Sequence, residues 1–133
     1  MTRKYFTPEE ANALLPSVKQ DLEKLQQTKR EFELKYRELQ QLKENTTYAS
    51  VTGEDSFFEQ ECELEFMQIE AKSLIDSLGM KGAEIKDIDR GLIDFPARIG
   101  GEDVLLCWMQ GEESIRYYHG VSDGFAGRKR LDS

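Results

Sequence analysis

Two runs of apolar residues, spaced three and four positions apart, constrain the fold of this chain more than any other feature. This spacing places side chains on one face of an α-helix. The first run comprises Leu15, Val18, Leu22, Leu25, Lys29, Phe32, Tyr36 and Leu39, and the second comprises Phe57, Gln60, Leu64, Met67, Ala71, Leu74 and Leu78. A polar segment containing Gly53 separates the runs. The pattern therefore predicts a long antiparallel helical hairpin.

The spacing also predicts which residues meet across the hairpin. The expected pairs are Tyr36 with Leu64, Phe32 with Met67, and Leu25 with Leu74. Lys29 is a charged interruption of the first run. We expect either that its stem passes the small Ala71 or that the two helices separate there.

The ends of the helices carry local signals. Thr7-Pro8-Glu9-Glu10 is a capping box, with Thr7 as the cap and Pro8 as the first helical residue. Pro16 removes a backbone donor, so a kink or break is expected just before it. Gly79 is the predicted C-cap of the second helix.

After Gly79 the pattern changes to short segments rich in β-branched and aromatic residues, namely "AEIKDI", "GLIDFPARI", "DVLLCWM" and "SIRYYH". Gly100-Gly101 and Gln110-Gly111 predict tight hairpins. Pro96 predicts an edge or a bulge in its strand. The expected fold is α+β in a single domain, 1–133. The hairpin takes about 7–79, and an antiparallel meander of three or four strands with a glycine-rich tail takes about 80–133.

Charge and composition narrow the class of protein. The chain has 133 residues and a net charge of −8, which disfavours a general nucleic-acid binder and opposes RNA contact through the basic tail. Its 38% apolar residues and frequent aromatic residues indicate a folded domain. No apolar run resembles a signal peptide or a membrane span, so a cytoplasmic location is expected. Cys62 and Cys107 are then expected to be free thiols.

Residues 54–70 contain seven acidic residues and no basic one. Clustered carboxylates can bind a divalent cation. The favoured interpretation is a solvated helix face whose acids pair with Lys35, Arg37 and Lys43 on the facing helix.

Alternation along the strands sorts the candidate site residues. Asp94 and Arg98 share one face of their strand, with Phe95 and Ala97 on the other, and His119 shares a face with Ile115 and Tyr117. In the strand between them, one face has Leu105, Cys107 and Met109, and the other has Val104, Leu106 and Trp108. His119 fits either a general base or a buried histidine with satisfied ring nitrogens. Cys107 fits either a nucleophile activated by His119 or, as favoured, a small core residue.

No cofactor is expected, and no metal site is predicted. A structural zinc site needs four Cys or His ligands, whereas the chain has three such residues. A metal held by His119 and carboxylates stays open as a weaker alternative. The string "GFAGR" fits an anion site at Arg128 or a flexible tail.

Four strings resemble a bacterial family, the domain of unknown function numbered 2203: "YFTPEEANALLP", "KDIDRGLIDFPARIGG", "LCWMQGEESIRYYHG" and "GFAGRKRL". The family pattern resembles this chain but often has Tyr-Trp before the histidine, where this sequence has Tyr117-Tyr118. The resemblance implies a cytosolic bacterial protein and carries no mechanism.

The leading functional hypothesis is a noncatalytic interaction module that binds a protein partner, or a second copy of itself, through the helical hairpin. The alternative is an enzyme or anion-binding domain with a pocket at the sheet end around His119 and Arg128. Its candidate residues are Asp94, Arg98, Glu112, His119 and Arg128, and it requires them to converge on one pocket.

Overall fold

The computed structural model describes residues 4–45 and 57–131. Two α-helices, α1 (Pro8–Asn45) and α2 (Phe58–Lys81), precede five strands: β1 (Glu84–Asp87), β2 (Leu92–Ile99), β3 (Glu102–Met109), β4 (Tyr117–Gly120) and β5 (Lys129–Arg130). The strands form one antiparallel sheet in the order β1-β2-β3-β4-β5. The predicted α+β fold is confirmed. The additional strand, β5, has only two residues, too few to produce a sequence pattern.

The capping box at the start of α1 forms as predicted. The Glu10 amide donates to Thr7 Oγ1 at 3.1 Å, and the Thr7 amide donates to Glu10 Oε1 at 2.9 Å. The helix continues through Pro16, so the break considered from the sequence does not occur. Pro16 is exposed, while Leu15 and Val18 on either side are buried and hold both parts of the helix on the core.

The C-cap of α2 is Gly82, which corrects the prediction of Gly79. Gly82 has φ +97°, and its amide donates to the Gly79 carbonyl, while the Ala83 amide donates to the Leu78 carbonyl. A Cβ at Gly82 would lie 2.8 Å from the Phe6 ring. Both the backbone angle and this close approach require glycine there, whereas Gly79 remains helical.

Ion pairs across the hairpin show that its register is near the one predicted. Lys35 Nζ lies 2.8 Å from Glu63 Oε1, Lys43 Nζ lies 3.2 Å from Glu61 Oε1, and Lys81 pairs with Asp21. The first two pairs also show acidic residues of α2 bonded to bases of α1, as the favoured interpretation of the acidic stretch required. Glu54 and Asp55 of that stretch lie outside the described residues.

The heptad pattern is less accurate beyond Leu25. Thr28 is buried, whereas Tyr36 is 48% exposed and stacks on Phe32 with ring centroids 6.0 Å apart. The residue buried after Leu25 is thus Thr28, one position before Lys29, while Leu39 near the end of the run is buried as predicted.

Of the two alternatives for Lys29, the structure does not show the first, in which its stem passes Ala71. Its Nζ pairs with Asp89 in the turn between β1 and β2, at 2.7 Å, and so extends toward the sheet instead of past Ala71.

The main core lies between the helices and one face of the sheet. It contains Ala11, Leu15, Val18, Leu22, Leu25, Leu78, Ile93, Phe95, Ala97, Val104, Leu106 and Trp108. The alternation predicted for β2 and β3 is thereby confirmed, because the residues between these positions point to the other face.

The turns follow the prediction only in part. Gly100 and Gly101, with φ +60° and +82°, connect β2 to β3 as a two-residue hairpin. Gln110-Gly111 begins a longer connection, because β4 does not start until Tyr117. Pro96 lies beyond the part of β2 that pairs with β1, and its carbonyl accepts a hydrogen bond from the Phe6 amide at 2.7 Å. This local edge position agrees with the prediction.

Both cysteines are free thiols, as predicted, with Cys62 exposed on α2 and Cys107 buried in β3. Neither helix, over the part of the chain that the structure describes, has the length and apolar character needed to cross a membrane.

Candidate functional site

Three reactive side chains meet on the sheet face that points away from the helices. Asp94 lies on β2, Cys107 on β3 and His119 on β4, and these strands are neighbours. In the strand pairing, Asp94 is directly across from Cys107. His119 is directly across from Leu105, which precedes Cys107 by two residues on β3. All three residues are at least 97% buried. We call Asp94, Cys107 and His119 the outer-face triad.

The histidine is held at both ring nitrogens. Nδ1 lies 2.8 Å from the Gly120 carbonyl oxygen, and Nε2 lies 3.1 Å from Asp94 Oδ2. Because a carbonyl oxygen can only accept, Nδ1 carries a hydrogen and donates it. One further proton is then shared between Nε2 and the Asp94 carboxyl group, so the pair is neutral overall. Of the two interpretations of His119 from the sequence, this arrangement agrees with the buried histidine whose ring nitrogens are both hydrogen-bonded.

Burial dominates the electrostatics of the triad. It raises the pKa of the Asp94 carboxyl group, while the charge of His119 and a hydrogen bond from Cys107 act in the opposite direction. Burial, with the nearby charge of Asp94, raises the pKa of the Cys107 thiol to about 12. Cys107 is therefore a neutral thiol near pH 7, which does not favour its action as a free nucleophile.

A cavity of about 270 Å³ adjoins the triad. Residues after β4 fold back over the outer face and form part of its wall, with Val121, Ser122, Gly124 and Phe125 in the lining. Leu92 and Leu105 add apolar surface, and Lys86 adds a cationic group. The cavity is thus mainly apolar with a few polar groups, as is usual for small-ligand sites.

Arg128 and Glu112 form a separate pair beside this cavity. Arg128 Nη2 donates to Glu112 Oε2 at 2.6 Å, and its guanidinium lies 3.9 Å from the Tyr117 ring centroid and 4.7 Å from that of Phe125. Glu112 Oε1 accepts from the Met109 amide at 2.7 Å. Among the described residues, Arg128 Nε is buried and has no hydrogen-bond partner.

Arg98 lies elsewhere. Its Nε donates to Asp103 at 2.9 Å, its guanidinium lies 4.3 Å from the Tyr5 ring centroid, and its side chain is 59% exposed. Four of the five predicted site residues therefore form two pairs, Asp94 with His119 and Glu112 with Arg128, while Arg98 pairs with Asp103, which was not predicted. The structure brings Asp94 and His119 together at the cavity and does not bring Arg98 there.

The candidate list omitted Cys107 and Lys86, both of which line the cavity. Alternation along β3 predicts that Cys107 and Trp108 point to different faces of the sheet. Only the strand register shows that Cys107 is paired with Asp94 on β2. The donor atoms of Asp94, Cys107 and His119 all lie within 4.8 Å of one another. Within residues 4–45 and 57–131, these three form a group that could hold a metal ion.

The chain belongs to a family described as uncharacterized conserved protein (DUF2203), whose model matches residues 4–131. The chain matches none of the curated proteins and none of the solved structures with which it was compared.

Proposed function

For this member of the DUF2203 family, we propose a noncatalytic interaction module that pairs with a second copy of itself through the outer face of α2. The observation that carries the proposal is a row of exposed apolar side chains on that helix. Phe58, Phe66, Ile69 and Met80 are 59%, 68%, 66% and 89% exposed. Exposed apolar residues are common singly, but four on one face of a single helix, with polar residues between them, indicate an interaction surface.

The row lies opposite the face by which α2 packs on the rest of the protein. Counting 100° per residue from Ile69, the four side chains fall within about 80° of helix circumference, whereas the buried Leu64, Met67 and Leu78 fall on the far side. The helix is therefore apolar on two opposite faces. Among the residues that the structure describes, only one of these faces packs against other parts of the protein.

The charge distribution favours a second copy in antiparallel orientation. The first half of α2, residues 58–69, has four acidic residues and no basic one, whereas residues 70–81 have two of each. A parallel pair would place the two acidic halves together. An antiparallel pair places each acidic half against a neutral half that contains Lys72, which avoids that repulsion.

Ile69 lies midway between Phe58 and Met80, so a twofold axis at Ile69 brings each end of the row against the other end of the second copy. One 24-residue helix per protomer gives an interface about 36 Å long. A contact of one helix from each copy is at the small end of stable interfaces, so we expect a reversible, concentration-dependent dimer.

The test is the mass of the protein in solution. Sedimentation over a range of concentrations is expected to show a monomer–dimer equilibrium for the wild type, and Ile69→Glu is expected to weaken it by about tenfold or more, because a carboxylate is buried against its own copy. The matched control is Ile99→Glu, at an exposed isoleucine of the β2–β3 hairpin, which should leave the equilibrium unchanged. A wild-type monomer at all concentrations, or equal effects of the two substitutions, would contradict the proposal.

A small anion at the sheet end is the second candidate. It is supported by the buried Nε of Arg128, which has no partner among the described residues, and by Lys86 in the wall of the adjoining cavity. We expect phosphate to shift the His119 ring resonances of the wild type, and Arg128→Lys to weaken binding because lysine lacks the planar fork. Histidine shifts that do not respond to phosphate, or binding equal in Arg128→Lys, would exclude this candidate.

A further inference from the structure

The outer-face triad combines three different donor atoms at one buried point. Asp94 offers a carboxylate oxygen, Cys107 a thiol sulfur and His119 an imidazole nitrogen, all within 4.8 Å of one another. The three residues come from adjacent strands of one sheet, so the backbone holds them in place without any loop. Such rigidity is what a metal site needs.

We propose that Asp94, Cys107 and His119 bind a divalent transition-metal ion, with zinc as the best match to the donor set. Mixed sulfur, nitrogen and oxygen ligands suit zinc, whereas magnesium and calcium prefer oxygen alone. The 3.1 Å between His119 Nε2 and Asp94 Oδ2 is close to the spacing of two ligands around one ion.

The imidazole is already oriented for this role. Its Nδ1 donates to the Gly120 carbonyl, which fixes the hydrogen on that nitrogen and leaves Nε2 to coordinate. Metal-binding histidines commonly donate their second nitrogen to a backbone carbonyl in this way. The accepting carbonyl belongs to Gly120, the residue next to His119 on β4, so the hydrogen bond is kept wherever the strand lies.

The exchange of protons for the ion conserves charge. Without metal, the thiol holds one proton and the Asp94–His119 pair shares another. A divalent ion displaces both, leaving a thiolate, a carboxylate and a neutral imidazole around two positive charges. The buried cluster is neutral before and after, so no uncompensated charge is created in the interior.

Three protein ligands leave one tetrahedral position, and the cavity of about 270 Å³ adjoins the triad. Water, or another small ligand, would complete the coordination from that side. Three ligands with an open position are the pattern of reactive zinc sites, while structural sites have four. Lys86 lines the same cavity, and its ammonium group bonds to Glu84 at 3.1 Å.

The sequence expectation of no metal site was based on the need for four Cys or His residues. A site with a carboxylate ligand and an open coordination position needs only one cysteine and one histidine. The acidic face of α2 is a different location and contributes no ligand here.

Cobalt substitution tests the assignment directly. The purified protein is stripped with a chelator and titrated with Co²⁺, and tetrahedral coordination by a thiolate is expected to produce a sulfur-to-cobalt charge-transfer band together with strong visible bands. Zinc should then displace cobalt and abolish them. The absence of the charge-transfer band at saturating cobalt in the wild type would overturn the proposal without reliance on any variant.

Variants identify the ligands. Loss of an outer-shell partner weakens metal affinity by roughly 10–100-fold, so Cys107→Ser and His119→Gln are expected to weaken zinc binding by about 100-fold or more. Cys62→Ser, at the exposed cysteine of α2, is the matched control and should keep the wild-type spectrum. A band lost in Cys62→Ser and retained in Cys107→Ser would place the metal elsewhere and refute the assignment.

Discussion

Replacing Asp94 with leucine is expected to destabilise the metal-free protein by about 3–5 kcal/mol, because it leaves His119 Nε2 buried without its partner. Asp94 and His119 are 2% and 3% exposed, so the bond that is lost joins two buried groups. The cavity beside Asp94 can accept the larger side chain, which limits steric strain. Urea unfolding in the presence of a chelator measures the effect apart from any metal binding.

The double variant Asp94→Leu/His119→Leu tests whether the loss in Asp94→Leu comes from the unpaired histidine. Replacing both members of a buried polar pair with apolar residues is often neutral, so the double variant is expected to be more stable than Asp94→Leu alone. Asp103→Leu is the control, since its carboxylate forms an exposed pair with Arg98 and should contribute little. Equal losses for Asp94→Leu and Asp103→Leu would show that the buried pair has no special role.

Replacing Trp108 with alanine is expected to lower the free energy of unfolding by about 3–5 kcal/mol, because core packing is lost. Trp108 is 1% exposed on the helix-facing side of β3, and its ring faces the ammonium of Lys19 at 5.5 Å. Its indole Nε1 also donates to the Glu112 carbonyl at 2.9 Å. Circular dichroism during urea unfolding is the measurement, since the variant lacks the fluorophore.

Trp108→Phe distinguishes the two contributions. Phenylalanine retains most of the apolar volume but leaves the Glu112 carbonyl without its donor, so a smaller loss of about 1–3 kcal/mol is expected. Tyr36→Ala, at a half-exposed aromatic residue of α1, should change stability less than either. A Trp108→Ala variant as stable as Tyr36→Ala would contradict the assignment of Trp108 to the core.

The helical half of the fold was predictable because each local signal there acts over one or two turns. The capping box at Thr7 forms as written in the sequence, and the hairpin register agrees with the Lys35–Glu63 pair. The errors are local: Thr28 is buried and Tyr36 is half-exposed, while Leu39 near the end of the run is buried as predicted. Periodicity gives the apolar face of a helix but does not show which neighbouring element packs on it.

The sheet was predictable in its strands and less so in its connections. Ile115 was expected to share a face with Tyr117 and His119, yet it packs in the helix-side core. The reason is that β4 begins at Tyr117, so alternation does not extend back to Ile115. Sequence periodicity gives no sign of where a strand begins.

The candidate site depended on register, which the sequence does not contain. Alternation placed Asp94 and His119 on defined faces of their own strands, but it could not show that those faces coincide. It also could not choose partners for the arginines: Arg128 pairs with Glu112, and Arg98 pairs with Asp103. Cys107 was considered with His119 from the start, and the register adds Asp94 to them.

Adjacent residues of β3 serve two different surroundings. Cys107 faces Asp94 and His119 on one side of the sheet, while Leu106 and Trp108, its immediate neighbours, fill the core on the other. Mutations that alter the chemistry of one face can therefore accumulate at every second position without repacking the interior. Relatives that differ on the outer face should differ along this strand with a period of two, and an inserted residue should not be tolerated because it exchanges the two faces.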